Sequence, residues 1–165
     1  KQYLHFGSTT QDVMDTATVL QCVEAIHLID RQLKIVIEQI ADLAEKYAAE
    51  PMIARSNGQD AIPTTYGMYL ASYMAELNRN RTRLLQALDR VSVGQFGSAV
   101  GTMSSIGPKG LEVRKTLMKN LGLKEADMTW NASRDNYAEV VQILGLINGT
   151  IGRIAADLNL SLIHI

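Results

Sequence analysis

From Gln11 to Ala49 apolar residues recur every three or four positions, and this stripe constrains the fold more than any other feature. Val19, Val23, Ile26, Ile29, Leu33, Ile37, Ile40, Ala44 and Tyr47 fall on one helical face. At about 1.5 Å per residue, roughly forty residues make a rod roughly 60 Å long. Pro51 stops it. A chain of 165 residues cannot bury so long a helix alone, so part of its surface is expected to face other chains. Leu20, Leu28, Ile35, Val36 and Leu43 widen the stripe, as contact with several neighbours requires.

Two more long helices are predicted. Met52 to Ile62 is polar and irregular and reads as a connection. Pro63, with Thr64 and Thr65, sits at or just before the first turn of a second helix that runs to about Val91. Its middle, Asn78 to Arg83, reads as facing solvent or a partner. Gly94, Gly97 and Gly101 read as a flexible loop, and Gly107-Pro108 as a turn. Lys109 to Leu121 predicts a shorter helix ended by Gly122. A loop with Trp130 leads to a third long helix, Arg134 to about Asn159. Gly145, Gly149 and Gly152 lie inside it. Each costs up to about 1 kcal/mol relative to Ala, so their presence points to close helix–helix approach. No segment reads as a strand. The expected fold class is all-α, a bundle of long helices.

Composition narrows the function. The net charge is −1, so no global field draws the chain to nucleic acid or to a membrane surface. No apolar run approaches the roughly 18 residues a membrane span needs. One cysteine, Cys22, excludes an internal disulfide and fits a reducing, cytoplasmic setting. The last six residues, Leu160 to Ile165, match an in-frame translation of a transposon end used in sequencing-library adapters. Residues 1–159 are therefore expected to be the natural helical-bundle sequence and 160–165 a non-native tail, the alternative being a genuine apolar helix end.

Two polar segments lie at rod ends. Gly7-Ser8-Thr9-Thr10-Gln11-Asp12 opens the first helix. One reading is an N-cap made by Ser8 or Thr9, with Asp12 favourable in the first turn. The other is an anion site, in which Ser, Thr and Gln donors join the free N–H groups to hold a small carboxylate. Arg55-Ser56-Asn57-Gly58-Gln59 lies between the first two rods. If those rods pack antiparallel, the two segments sit about 60 Å apart, and shared chemistry needs several subunits. His5, His27 and His164 are isolated and Cys22 has no partner in range, so a zinc site is not expected. There is no Walker loop and no Gly-x-Ser-x-Gly elbow. His27 reads as a flank of the stripe and Cys22 as a small buried residue. The methionines read as core. Asp12 with Asp15, and Glu45 with Glu50, read as helix-end carboxylates rather than catalytic pairs.

Taken in order, these motifs resemble the fumarase/aspartase superfamily, nearest its adenylosuccinate lyase and 3-carboxy-cis,cis-muconate cycloisomerase branch. His5-Phe6-Gly7-Ser8-Thr9-Thr10-Gln11-Asp12-Val13-Met14-Asp15-Thr16-Ala17 is similar to the first signature of that family. Arg55-Ser56-Asn57-Gly58-Gln59-Asp60-Ala61-Ile62-Pro63-Thr64-Thr65-Tyr66-Gly67 resembles the second, usually Gly-Arg-Thr-His-x-Gln followed by Ala-x-Pro-x-Thr-x-Gly. Gly97-Ser98-Ala99-Val100-Gly101-Thr102 resembles the following Gly-Ala-x-Gly-Thr segment. Trp130-Asn131 and Arg134-Asp135 resemble the cycloisomerase pattern Trp-His-x-x-Arg-Asp, with Asn131 in place of the His.

The resemblance implies a central domain that assembles four subunits into a helical bundle, with active sites shared by three of them. It implies metal-free chemistry without a cofactor, in which a base removes a proton next to a carboxylate and an aci-carboxylate forms. The substrate would be a small polycarboxylate or a succinyl-purine. Ser8, Thr9, Thr10 and Gln11 would bind a substrate carboxylate, and Ser56 and Gln59 would line a second wall. Asn57 stands where the lyases commonly place a catalytic histidine. An amide cannot deliver a proton near neutral pH. The third signature, a Gly-Ser-Ser loop with the catalytic Ser, would lie beyond Asn159, so this chain is expected to be inactive by itself. The alternative is a non-catalytic helical oligomerisation module, or an inactive family relative.

Overall fold

A computed structural model describes residues 3–163, with side chains through Leu160. In chain order the elements are α1 (Thr10–Lys46), β1 (Pro51–Ser56), β2 (Gln59–Thr65), α2 (Tyr66–Val91), a 3-10 turn (Gly107–Lys109), α3 (Gly110–Leu121) and α4 (Asp135–Ile163). The fold is all-α apart from one hairpin. The long periodic segments form the expected helices, and Gly122 ends α3 in the left-handed conformation at φ 68°. Of the expected tail, Leu160–Ile163 continue α4, and His164 and Ile165 lie outside the described residues.

The chain divides into two compact units, one of Lys1–His27 with Gln86–Val140, the other of Leu28–Leu85 with Val141–Ile165. The first is built on Val19, Phe96, Met103, Met118 and Leu123, with Trp130, Tyr137 and Ile106 packed against them. The second buries Leu33, Tyr73, Leu77, Leu84, Ile143 and Ile147. It also buries a polar chain: Asn80 Nδ2 donates to Thr150 Oγ1 at 3.3 Å, and Thr150 Oγ1 donates to Glu76 at 2.8 Å. Arg81 closes on Asp30 with Nε 2.6 Å from Oδ1. Asn80 and Arg81 therefore correct the expectation that Asn78 to Arg83 faces outward throughout.

The hairpin is the main departure from the expected elements. Ser56 pairs with Gln59 across a two-residue turn, and Pro51 with Thr65 at the open end. Asn57 and Gly58 have φ of 50° and 75°, the pair of positive values a tight hairpin turn demands and the reason Asn-Gly is favoured there. Pro63 belongs to β2 and not to a helix start, since the backbone stays extended until Tyr66. At that point Tyr66 N–H donates to Glu50 O at 2.9 Å and Gly67 N–H to Tyr47 O at 2.9 Å.

Two further expectations are corrected and a third is narrowed. Gly94 to Ser98 is buried rather than a flexible loop, because Gly97 packs so closely that a Cβ there would lie 2.5 Å from Thr129 Cγ2. A Cβ at Gly145, Gly149 or Gly152 meets nothing within 4 Å, so those glycines make no close approach within this chain. Met103 and Met118 are core, whereas Met14, Met68 and Met128 are exposed.

Candidate functional site

The start of α1 is held by a carboxylate buried beneath it. Thr9 occupies the N-cap position: its carbonyl accepts from Asp12 N–H at 3.1 Å, and its N–H donates to Asp12 Oδ2 at 3.0 Å. This is the backward half of a capping box, with Asp in the usual Glu place. Asp12 is 3% exposed. It also accepts from Gly97 N–H at 3.0 Å, Ser98 N–H at 2.9 Å and Gln95 Nε2 at 3.1 Å. Four donors on one carboxylate tie the first polar segment to a loop more than eighty residues away. Asp12 is thus the organiser of the segment and not an isolated helix-end charge.

Two more ties fix the same loop. Ser98, at a strained φ of 63°, donates through Oγ to the Gly7 carbonyl, and Ser105 Oγ reaches that carbonyl at 3.1 Å. Gly7 is itself in contact with Ile106, where a Cβ would come within 2.3 Å of Cγ1. Thr16 Oγ1 donates to Gln95 O at 2.7 Å and accepts from Gln95 N–H at 3.0 Å. Gln95 is 1% exposed, and its side chain accepts from Trp130 N–H at 2.9 Å while also donating to Asn131 Oδ1.

Around this frame the expected binding residues are placed as follows. Ser8, Thr9 and Gln11 are half-buried and Thr10 is exposed. Ser8 Oγ donates to His5 O at 3.3 Å. Gln11 Nε2 donates to Asp15 Oδ1 at 2.7 Å. Arg134 Nη2 lies 3.5 Å from the same oxygen, and its guanidinium sits over the Trp130 ring, 5.9 Å from the centroid. Tyr137 donates to Asp15 O at 2.8 Å. Burial, and then the negative charge of Asp15, push the Tyr137 phenol up to about 12. Among the described residues, Asp15 Oδ2 and Trp130 Nε1 are buried without a partner.

Ser56, Asn57 and Gln59 stand together at the exposed tip of the hairpin. Thr10 and Lys46 are the two ends of α1, whose 37 residues rise about 55 Å. The structure thus gathers Ser8 to Gln11 in one unit and Ser56 to Gln59 in the other.

The remaining candidates carry little chemistry. Cys22 is half-buried, and burial pushes its thiol up, which suppresses the thiolate. His27 is exposed on α1. Among the described residues no three His, Cys, Asp or Glu side chains are placed to hold a metal ion. A cavity of about 10 Å³ beside Trp130, Arg134 and Tyr137 has room for a water at most. Asp15, Thr16, Gln95 and Ser98 carried no assignment in the sequence as hydrogen-bonding residues. A weak signal existed for Gln95, a polar residue set inside the glycine-rich apolar run from Val93 to Gly97.

Residues 1–162 match the family described as Lyase. The chain is 39% identical over 156 residues to N-acetyl-S-(2-succino)cysteine lyase of Enterococcus italicus, covering 94% of this chain and 34% of that protein. It is 38% identical over 160 residues to 3-carboxy-cis,cis-muconate cycloisomerase of Pseudomonas aeruginosa, covering 97% and 35%. It superposes on the crystal structure of fumarate lyase from Mesorhizobium sp. BNC1 with a TM-score of 0.95 and 40% identity, covering 98% of this chain and 38% of that one. The chain spans about a third of the length of the curated relatives it matches.

Proposed function

The chain belongs to the lyase family of the fumarase/aspartase superfamily, and from that premise we propose that the whole protein is a metal-free lyase or cycloisomerase acting on a small polycarboxylate or a succinyl compound. The observation that carries this reading is the α1 start, pinned through Asp12 to the Gly97–Ser98 backbone. With Asp12 saturated by its own donors, the first N–H groups of the helix and the Thr9 and Thr10 hydroxyls remain for a ligand. A helix N-terminus with neutral donors suits one carboxylate of such a substrate.

In the proposed reaction a base removes the proton on the carbon next to that carboxylate. The electrons move into the carboxylate as an aci-carboxylate, and the leaving group departs with a proton. Thr9 and Thr10 hold the developing negative charge with Ser8 beside them, and Gln11 orients through Asp15. Ser56 and Gln59 supply a second wall from another subunit. Assembly as a homotetramer fits the exposed Leu28, Ile35, Leu43, Val141 and Ile151, which leave the second unit with unburied apolar surface. Activity then belongs to the assembled whole protein, which we place in the cytoplasm, and not to this chain alone.

Two ultraviolet assays on the whole protein test the reading. Loss of adenylosuccinate absorbance with fumarate release favours the lyase; conversion of 3-carboxymuconate to its lactone favours the cycloisomerase. Turnover of neither, nor of a 2-succino thioether, sinks the proposal. One observation favours a second reading, an inactive relative kept for oligomerisation: Asn57 stands at the place of the family histidine and is also well suited to the left-handed turn it occupies. A degenerate Gly-Ser-Ser loop in the whole protein would decide for that reading.

A further inference from the structure

We propose that Asn131 is a ligand-binding residue, whose side-chain NH₂, turned outward by Gln95, donates to a carboxylate oxygen. Hydrogen-bond logic fixes the orientation of both amides. The Trp130 N–H can only donate, and it meets Gln95 Oε1 at 2.9 Å. The other end of the Gln95 amide is therefore its NH₂, which faces Asp12 Oδ1 at 3.1 Å and also Asn131. A donor facing Asn131 requires the Asn131 oxygen on that side, so Nδ2 points away. Turning Asn131 over would set two NH₂ groups against each other, and turning Gln95 over would set its NH₂ against the Trp130 N–H.

Nδ2 then lies beside the Gly97–Thr102 segment: a Cβ on Gly101 would be 3.9 Å from it. Among the described residues it has no protein acceptor, and it is not one of the buried unpartnered atoms. It is a donor pair held in one direction and open to a ligand. Asp12, which shares the Gln95 amide with Asn131, is already saturated by four donors. An acceptor-only group such as a carboxylate satisfies the open donor pair best. Gln95 acts as the positioning residue. The choice of a carboxylate rests on the proposed lyase reading; the orientation does not.

Trp130 is the only tryptophan and adjoins Asn131, so its fluorescence reports this locus. The chain is titrated with succinate, with neutral succinamide, and with sodium chloride at matched ionic strength, while ¹⁵N spectra follow the side-chain amides. Succinate alone should give a saturable change in fluorescence and shift the Asn131 Nδ2 resonances. Asn131→Asp keeps the acceptor for Gln95 but removes the donors, and should weaken binding at least about tenfold with unchanged circular dichroism. Asn131→His restores a donor and should stay within about threefold of the unmodified chain. Binding by Asn131→Asp equal to that of the unmodified chain, or no response to succinate up to tens of millimolar, overturns the inference. In the whole protein, turnover with kcat and KM unaltered by Asn131→Asp would sink this inference and leave the lyase reading standing. Succinate binding through Asn131 without any turnover would do the reverse.

Discussion

Replacing Asp12 by Asn changes one atom, yet it should cost nearly as much as deleting the side chain. The two carboxylate oxygens each serve two donors: Oδ1 takes Gln95 Nε2 and Gly97 N–H, and Oδ2 takes Ser98 N–H and Thr9 N–H. An Asn has one oxygen. Whichever way its amide turns, an NH₂ group faces two N–H donors. Hydrogen bonds to a charged acceptor contribute about 1.5–3 kcal/mol each, so losing two removes about 3–6 kcal/mol. Relaxation, and water reaching the half-buried Thr9, pull the expected value toward about 3 kcal/mol. That is a large share of the roughly 5–15 kcal/mol that holds a domain folded. Urea unfolding followed by Trp130 fluorescence measures it, because the Trp130 backbone is bonded to Gln95 in the same network. The exposed Asp127 serves as a control, since Asp127→Asn should change stability by less than about 0.5 kcal/mol. If Asp12→Asn shifts stability by less than about 1 kcal/mol at unchanged denaturant slope, Asp12 is not the organiser of the α1 start.

Four other outcomes are expected. Gly97→Ala forces a Cβ to within 2.5 Å of Thr129 and 3.1 Å of the Gly101 backbone, and should lower the thermal midpoint by the equivalent of about 1–3 kcal/mol. Gly149→Ala meets nothing within 4 Å, so it should stabilise the monomer by up to about 1 kcal/mol while weakening self-association in sedimentation; stronger association would count against this face packing between copies. The Tyr137 phenol is raised to about 12 from 10.0, so between those values the unfolded chain releases a proton that the folded chain keeps. Stability should fall as pH rises through that window, and urea midpoints at successive pH values should fall less steeply for Tyr137→Phe. In the whole protein, Asn57→Ala should weaken substrate binding and Asn57→His should raise turnover, as read by KM and kcat; no change in either argues against a site at the hairpin tip.

The sequence by itself determined the helices and the two polar segments that flank α1. Helical periodicity is a local property, set by which residues lie three and four apart, so Val19 to Tyr47 and the left-handed stop at Gly122 could be read directly. The Asn57-Gly58 turn was equally local. Its Asn-Gly signal was present, but alternation in Pro51 to Thr65 is too weak to read as strand, and most of that hairpin is exposed. Tertiary structure alone decided what the first polar segment does. Asp12 finds its partners at positions 95, 97 and 98, and Gln95 finds Trp130 and Asn131 thirty-five and thirty-six residues further on. No spacing rule links residues so far apart; only the packing of Phe96, Met103 and Met118 against Val19 brings them together. Once that core forms, a buried carboxylate must collect every donor near it, because an unpaired charge there would be far more costly than the bonds.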